Sequence, residues 1–152
     1  MTKGGAALDV IIQKLADGEN EQIIIRCHEV SPDLLSLVEK IKDRERTLGA
    51  YQDNVYHKVS SADVYYIEAV DNKIFIYCKN AVYASRERLY ELEESLNKST
   101  FFRVSKRIIV NLNKVKSVAT AVNARLEATM ENGEKIIISR FYVRELKKKL
   151  GI

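Results

Sequence analysis

From about residue 48 onward the chain is a series of short apolar runs, each closed by turn-forming residues. Candidate strands fall at 48–52, 55–59, 63–69, 73–79, 101–104, 108–111, 115–122, 125–130 and 135–139. Their branched and aromatic side chains suit a pleated, half-buried surface, with alternate residues facing a core. Asp53-Asn54, Asp71-Asn72, Asn111-Leu112-Asn113 and Glu131-Asn132-Gly133-Glu134 separate the runs. Asn132-Gly133 is the strongest hairpin signal, because a type I′ turn needs two residues that tolerate positive φ. Only two helices interrupt this stretch. One is expected to begin at Ser85 with Leu89, Leu92 and Leu96 as its core stripe. The other is expected after Ser139, with Val143, Leu146 and Leu150 inward and Gly151 at its end. The fold class is therefore mainly β, α+β overall, and this order argues against Rossmann and helix-turn-helix architectures.

The first fifty residues have a different texture. Leu8, Val10 and Ile12 alternate with Asp9, Ile11 and Gln13, which predicts a short strand. After a turn at 17–20, residues 22–30 read as a second strand centred on Ile23-Ile24-Ile25. Ser31-Pro32-Asp33 is a helix start, since Ser31 caps orphan N–H groups and Pro32 fits the first helical position. Leu34, Leu37, Val38 and Ile41 keep helical spacing to about Arg46, with Lys40, Lys42, Arg44 and Arg46 near the negative end and Gly49 as a stop. The expected organisation is a small N-terminal α/β element over 1–50, its helix packed on its own strands or, alternatively, docked on a partner, followed by a β domain over 51–152.

The sequence has 152 residues, enough to hold a core without disulfide staples. Cys27 and Cys78 accordingly read as buried free thiols in a reducing cytoplasm. No apolar run approaches the ~20 residues of a membrane span. The start, Met1-Thr2-Lys3-Gly4-Gly5-Ala6, has no secretory h-region, so a cytoplasmic location is expected.

Catalytic constellations are missing: there is no Gly-rich phosphate loop, no G-x-S-x-G and no H-E-x-x-H. Cys27 and His28 are adjacent, so in a strand they face opposite ways and share no metal. His57 reads as a surface histidine, and Glu91, Glu93 and Glu94 as a solvated helix face. No enzyme, cofactor or metal is expected.

Charge is more informative. Residues 1–60 carry 8 basic and 10 acidic side chains, residues 61–100 carry 5 and 7, and residues 101–152 carry 12 and 4, or −2, −2 and +8. The overall +4 thus hides a basic final third, the footprint expected of a polyanion partner. Its cations fall at loops and element ends: Ser105-Lys106-Arg107 between two apolar strands, and Ser139-Arg140 where a strand meets a helix. Asn72-Lys73 sits at a tight turn. Arg, Lys, Asn and Ser are side chains that read base edges, although each taken singly is an ordinary polar loop residue.

Together these residues belong to a recognisable pattern. Tyr66-Ile67-Glu68-Ala69, Leu89-Tyr90-Glu91-Leu92-Glu93-Glu94-Ser95-Leu96 and Phe101-Phe102-Arg103-Val104-Ser105-Lys106 come first. Ile109-Val110-Asn111-Leu112, Glu131-Asn132-Gly133-Glu134-Lys135-Ile136 and Ser139-Arg140-Phe141-Tyr142-Val143-Arg144-Glu145-Leu146-Lys147 follow. In these blocks the chain resembles the LytTR DNA-binding domain of bacterial transcription regulators from about Val59 to Leu150. The resemblance implies an elongated, mostly antiparallel β fold that places loops in successive major grooves and bends the duplex.

Carried over by position, the resemblance makes Asn72, Lys73, Ser105, Lys106 and Arg140 base-reading candidates. Arg103, Arg107, Lys147 and Lys148 become phosphate candidates, with Lys149 a solvated tail. Arg107 departs from the family pattern, where a small polar residue is more usual, so it either adds a phosphate contact or shifts the loop. Glu68 is expected to order the site, because a carboxylate near phosphates repels them. Some fifty residues precede the match, too few for a receiver domain, so the chain resembles the stand-alone class. The implied partners are double-stranded DNA bearing promoter repeats and a second copy of the chain, joined through the 31–46 helix and adjoining strands. A membrane or sensor protein is a further candidate partner. The rival readings are an interaction or sensory module on the same fold, and an RNA binder using Tyr65, Tyr66 and Phe75 as stacking platforms.

Overall fold

A computed structural model describes residues 8–43 and 46–152. The chain divides into two units, Met1–Val30 and Ser31–Ile152. Residues 8–30 of the first contain neither helix nor strand, only a turn at 17–18 and a bend at 28–29. The two strands expected here do not form. Alternation gives a segment strand character only when a neighbouring strand takes up its N–H and C=O groups. Leu8, Val10, Ile11, Ile12, Ile23 and Ile24 are exposed. Cys27 is exposed too, and Cys78 only half-buried, so neither is the buried thiol expected.

In the second unit, α1 (Pro32–Asp43) starts as its sequence dictates, with Ser31 Oγ accepting the Leu34 N–H at 3.1 Å. Leu34, Val38 and Ile41 are half-buried, whereas Leu37, expected on the same stripe, is exposed. Among the described residues the helix ends at Asp43; Arg44 lies outside them and Arg46 leads into a strand. Gly49 is not a stop but lies within that strand, where an added Cβ would meet the Tyr56 ring at 2.8 Å.

The strands are β1 (Thr47–Gln52), β2 (Val55–Ser60), β3 (Val64–Val70), β4 (Lys73–Cys78), β5 (Val82–Ser85), β6 (Phe101–Arg103) and β7 (Ile108–Asn111). They form one antiparallel sheet in the order β2-β1-β5-β4-β3-β7-β6. β8 (Val115–Ala121), β9 (Arg125–Met130) and β10 (Lys135–Ile138) form a second, in the order β10-β9-β8. Type I′-like pairs with both φ near +50° to +64° close three hairpins, at Asp53-Asn54, Asp71-Asn72 and Asn123-Ala124. Asn132-Gly133 does close the β9–β10 hairpin, but only Gly133 has positive φ. Asn132 instead accepts the Glu134 N–H at 3.1 Å, which makes a four-residue loop.

β5 replaces the expected start of the middle helix. Its residues pair with β4 (Ile74 with Ser85, Phe75 with Ala84), and α2 (Leu89–Ser95) begins only after Arg88. The Arg88 N–H is capped by Glu91 Oε2 at 2.9 Å. The last helix, α3 (Arg140–Leu150), runs as expected to Gly151 in the left-handed region at φ 73°.

Two cores follow from the pleat. Leu48, Ala50, Val64, Ile67, Ile76 and Ile109 face Leu89, Leu92 and Leu96 of the α2 segment. Tyr65, Val104 and Val110 face Leu126, Met130, Ile136, Ile138 and Leu146. Neighbours Ile109 and Val110 enter opposite cores, so β7 is covered on both sides. Tyr65 is buried and Tyr66 and Phe75 are half-buried, so these aromatics are packing residues and not open platforms.

Candidate nucleic-acid interface

The loop at 105–107 leaves the end of β6 and is tied down at every residue. Ser105 Oγ accepts the N–H groups of Arg107 and Ile108, both at 3.1 Å. Arg103 donates from Nε to the Ser105 carbonyl at 2.7 Å and from Nη2 to the Lys106 carbonyl at 2.5 Å. Its Nη1 bonds Glu93 Oε2 at 2.5 Å. The Arg107 carbonyl accepts the Ala69 N–H at 2.8 Å. The backbone is thus fixed, while the side chains of Lys106 and Arg107 stand in solvent. Arg103, named above as a phosphate candidate, commits three of its N–H groups to this internal clamp and keeps a side chain only 20% exposed.

The start of α3 lies beside this loop, because the Ser139 N–H donates to the Val104 carbonyl at 2.8 Å. Ser139 makes no side-chain cap; its carbonyl accepts the Tyr142 N–H at 2.9 Å. Arg140 is exposed as the first helical residue. Ser105, Lys106, Arg107, Ser139, Phe141 and Tyr142 border one open depression.

The turn carrying Asn72 and Lys73 sits at the same end. β3 pairs with β7 through Glu68 and Ile108, and Ala69 bonds Arg107, so the β3–β4 tip continues only three residues beyond the loop. At roughly 3.3 Å per residue that tip reaches about 10 Å further. Asn72 and Lys73 are both exposed. Behind them Tyr66 and Tyr77 stack at 4.3 Å and 11°. Burial, then a hydrogen bond to Glu134, pushes the Tyr66 hydroxyl above its ordinary pKa. Tyr77 shifts the same way through burial and then the charge of Glu68. Glu68 therefore faces the tyrosine pair, half-buried.

This arrangement occurs in a domain with known kin: residues 54–151 match the LytTr DNA-binding domain family. The chain belongs to that family. A LytTr DNA-binding domain from Bacillus cereus, described as part of a methyl-accepting/DNA response regulator, superposes with a TM-score of 0.68 at 26% identity. That match covers 71% of this chain and 99% of the other. The sensory transduction protein LytT of Bacillus anthracis is 25% identical over 151 residues, 96% of this chain and 61% of its own length. The chain thus spans about three fifths of that relative. An uncharacterised HTH-type transcriptional regulator of Staphylococcus aureus is 24% identical over 139 residues, covering 90% of this chain and 94% of its own. In this LytTR chain no two described helices are consecutive, so the described residues hold no helix-turn-helix.

The LytTR helix α3 also carries a residue that the pattern reading passed over. Arg144 is exposed, one turn from Arg140, and Lys147 and Lys148 continue the same side at i+7 and i+8. Leu146 is buried and Val143 and Leu150 half-buried on the other side. The i, i+4 spacing was the available signal. Lys149 is not a loose tail: its Nζ donates to the Lys98 carbonyl at 2.6 Å and lies 5.6 Å from the Phe102 ring centre. No described helix is long and apolar enough to cross a membrane.

Proposed function

We propose that this chain is a sequence-specific transcriptional regulator of double-stranded DNA. Asn72, Lys73, Ser105, Lys106 and Arg140 read base edges in successive major grooves, and the duplex bends to reach all of them. Arg107, Arg144, Lys147 and Lys148 hold phosphates, while Arg103 acts on DNA through the loop that it clamps. The observation that carries this reading is the convergence of the β3–β4 turn, the 105–107 loop and the Arg140 corner on one end of a LytTR domain. A bacterial regulator of this type works in the cytoplasm and needs no catalytic centre. Selection from random duplexes with the purified chain tests it. Enrichment of a repeated element by wild type, lost with Lys106→Ala and Arg140→Ala, supports the reading. No enrichment favours the interaction module.

The regulator also acts as a homodimer in this reading. Ile23 and Ile24 lie exposed in a segment without strand pairing, and Leu35 and Leu37 are exposed on α1. A second copy supplies the cover that such apolar groups lack, and two copies match two half-sites. Sedimentation without DNA checks this, and a monomer at high concentration contradicts it.

A further inference from the structure

Among the described residues Phe141 is the most exposed aromatic side chain, at 84%. It follows Arg140 in the chain and borders the same depression as Lys106 and Arg107, where an apolar ring is least expected. It meets Tyr142 edge-on at 5.0 Å and 80°, and Tyr142 meets Phe102 at 6.4 Å and 88°. Phe102 and Tyr142 pack against the second core. A three-ring ladder therefore connects the exposed ring to the packed second core, and leaves most of its surface open to a ligand.

An exposed apolar ring among candidate base-reading cations calls for an apolar feature on the nucleic acid. In the major groove the base edges offer one such feature, the 5-methyl group of thymine. Resting on the DNA-reading function above, we propose that Phe141 is a specificity-determining residue that recognises a thymine through its methyl group, in the groove read by Arg140. Arg140 supplies hydrogen bonds to its base, and Phe141 rejects cytosine where the methyl is absent. A ring packed on deoxyribose would instead act on every sequence alike.

The test uses the full chain and a duplex recovered by selection with wild type, each thymine replaced singly by deoxyuridine. This removes the methyl and keeps the pairing. At one position the replacement should weaken wild-type binding about fourfold, the factor that burial of one methyl-sized group corresponds to. Phe141→Ala, at an exposed position, should bind thymine and uracil duplexes equally there. Phe141→Leu should retain part of the discrimination. Equal wild-type affinity for thymine and uracil at every position overturns the inference alone, as does an unchanged thymine preference in Phe141→Ala. Failure of wild type to prefer any sequence overturns the DNA-reading function and this inference together.

Discussion

Arg103 Nη1 and Glu93 Oε2 meet at 2.5 Å, linking β6 to α2, and the same guanidinium holds the carbonyls of Ser105 and Lys106. An acidic residue near a loop proposed to read DNA has two opposite effects. As a bare charge it repels phosphate; as an anchor it keeps Arg103 aimed at the loop. The geometry favours the anchor. Glu93→Ala should therefore weaken binding to the specific duplex by about 1 kcal/mol, the size of one charge-assisted, partly exposed hydrogen bond. Titration against specific and scrambled duplexes checks the sign, and tighter binding by the variant would point to repulsion.

Asn111 is buried, with Nδ2 donating to the Val64 carbonyl at 2.8 Å and Oδ1 accepting the Asn113 N–H at 2.9 Å. It joins β7 to the start of β3 at the boundary between the cores. Asn111→Ala leaves both backbone groups short of a partner, at a cost of about 1–3 kcal/mol. Denaturant unfolding should show that loss, while the exposed Asn113→Ala stays within about 0.5 kcal/mol of wild type.

The two thiols should behave differently. Cys27 is exposed, whereas burial, then the charge of Asp63, pushes the half-buried Cys78 thiol up to about 11 from an ordinary 9.0. At pH 8 a thiol reagent should label Cys27 promptly and Cys78 much more slowly, until unfolding removes the difference in burial. The raised value also fixes a sign. The contribution of Cys78 to stability is complete below pH 9 and is lost as pH rises from about 9 to about 11. Tyr66, shifted in the same direction, adds to the fall at higher pH. Denaturation midpoints across this range should decline, less steeply in Cys78→Ala.

Most strands were legible because period-two runs and turn residues are local properties, and β1 to β4 and β6 to β10 lie within a residue or two of their expected bounds. β5 was not, since Ser85 resembles a helix cap and the strand exists only through its pairing with β4. The N-terminal strands failed for the converse reason: local alternation was present, and no partner strand was. At the candidate interface, Lys106 and Arg140 were legible as exposed cations because they sit at element ends. The Arg103–Glu93 bond spans ten residues and depends on how β6 meets α2, which no local pattern records. Phe141 was hidden within a helical run, where an aromatic ordinarily faces the core.

The most direct measurement is the salt dependence of binding to the selected and a scrambled duplex for wild type, Arg140→Ala and Lys147→Ala. Wild type should lose affinity steeply with salt on both duplexes, through release of counterions from neutralised phosphates. Arg140→Ala should cost about 1–3 kcal/mol on the selected duplex and little on the scrambled one. Lys147→Ala should weaken both alike and flatten the log–log slope by about one unit. Salt-insensitive binding, unchanged by either substitution, would contradict DNA reading by this surface.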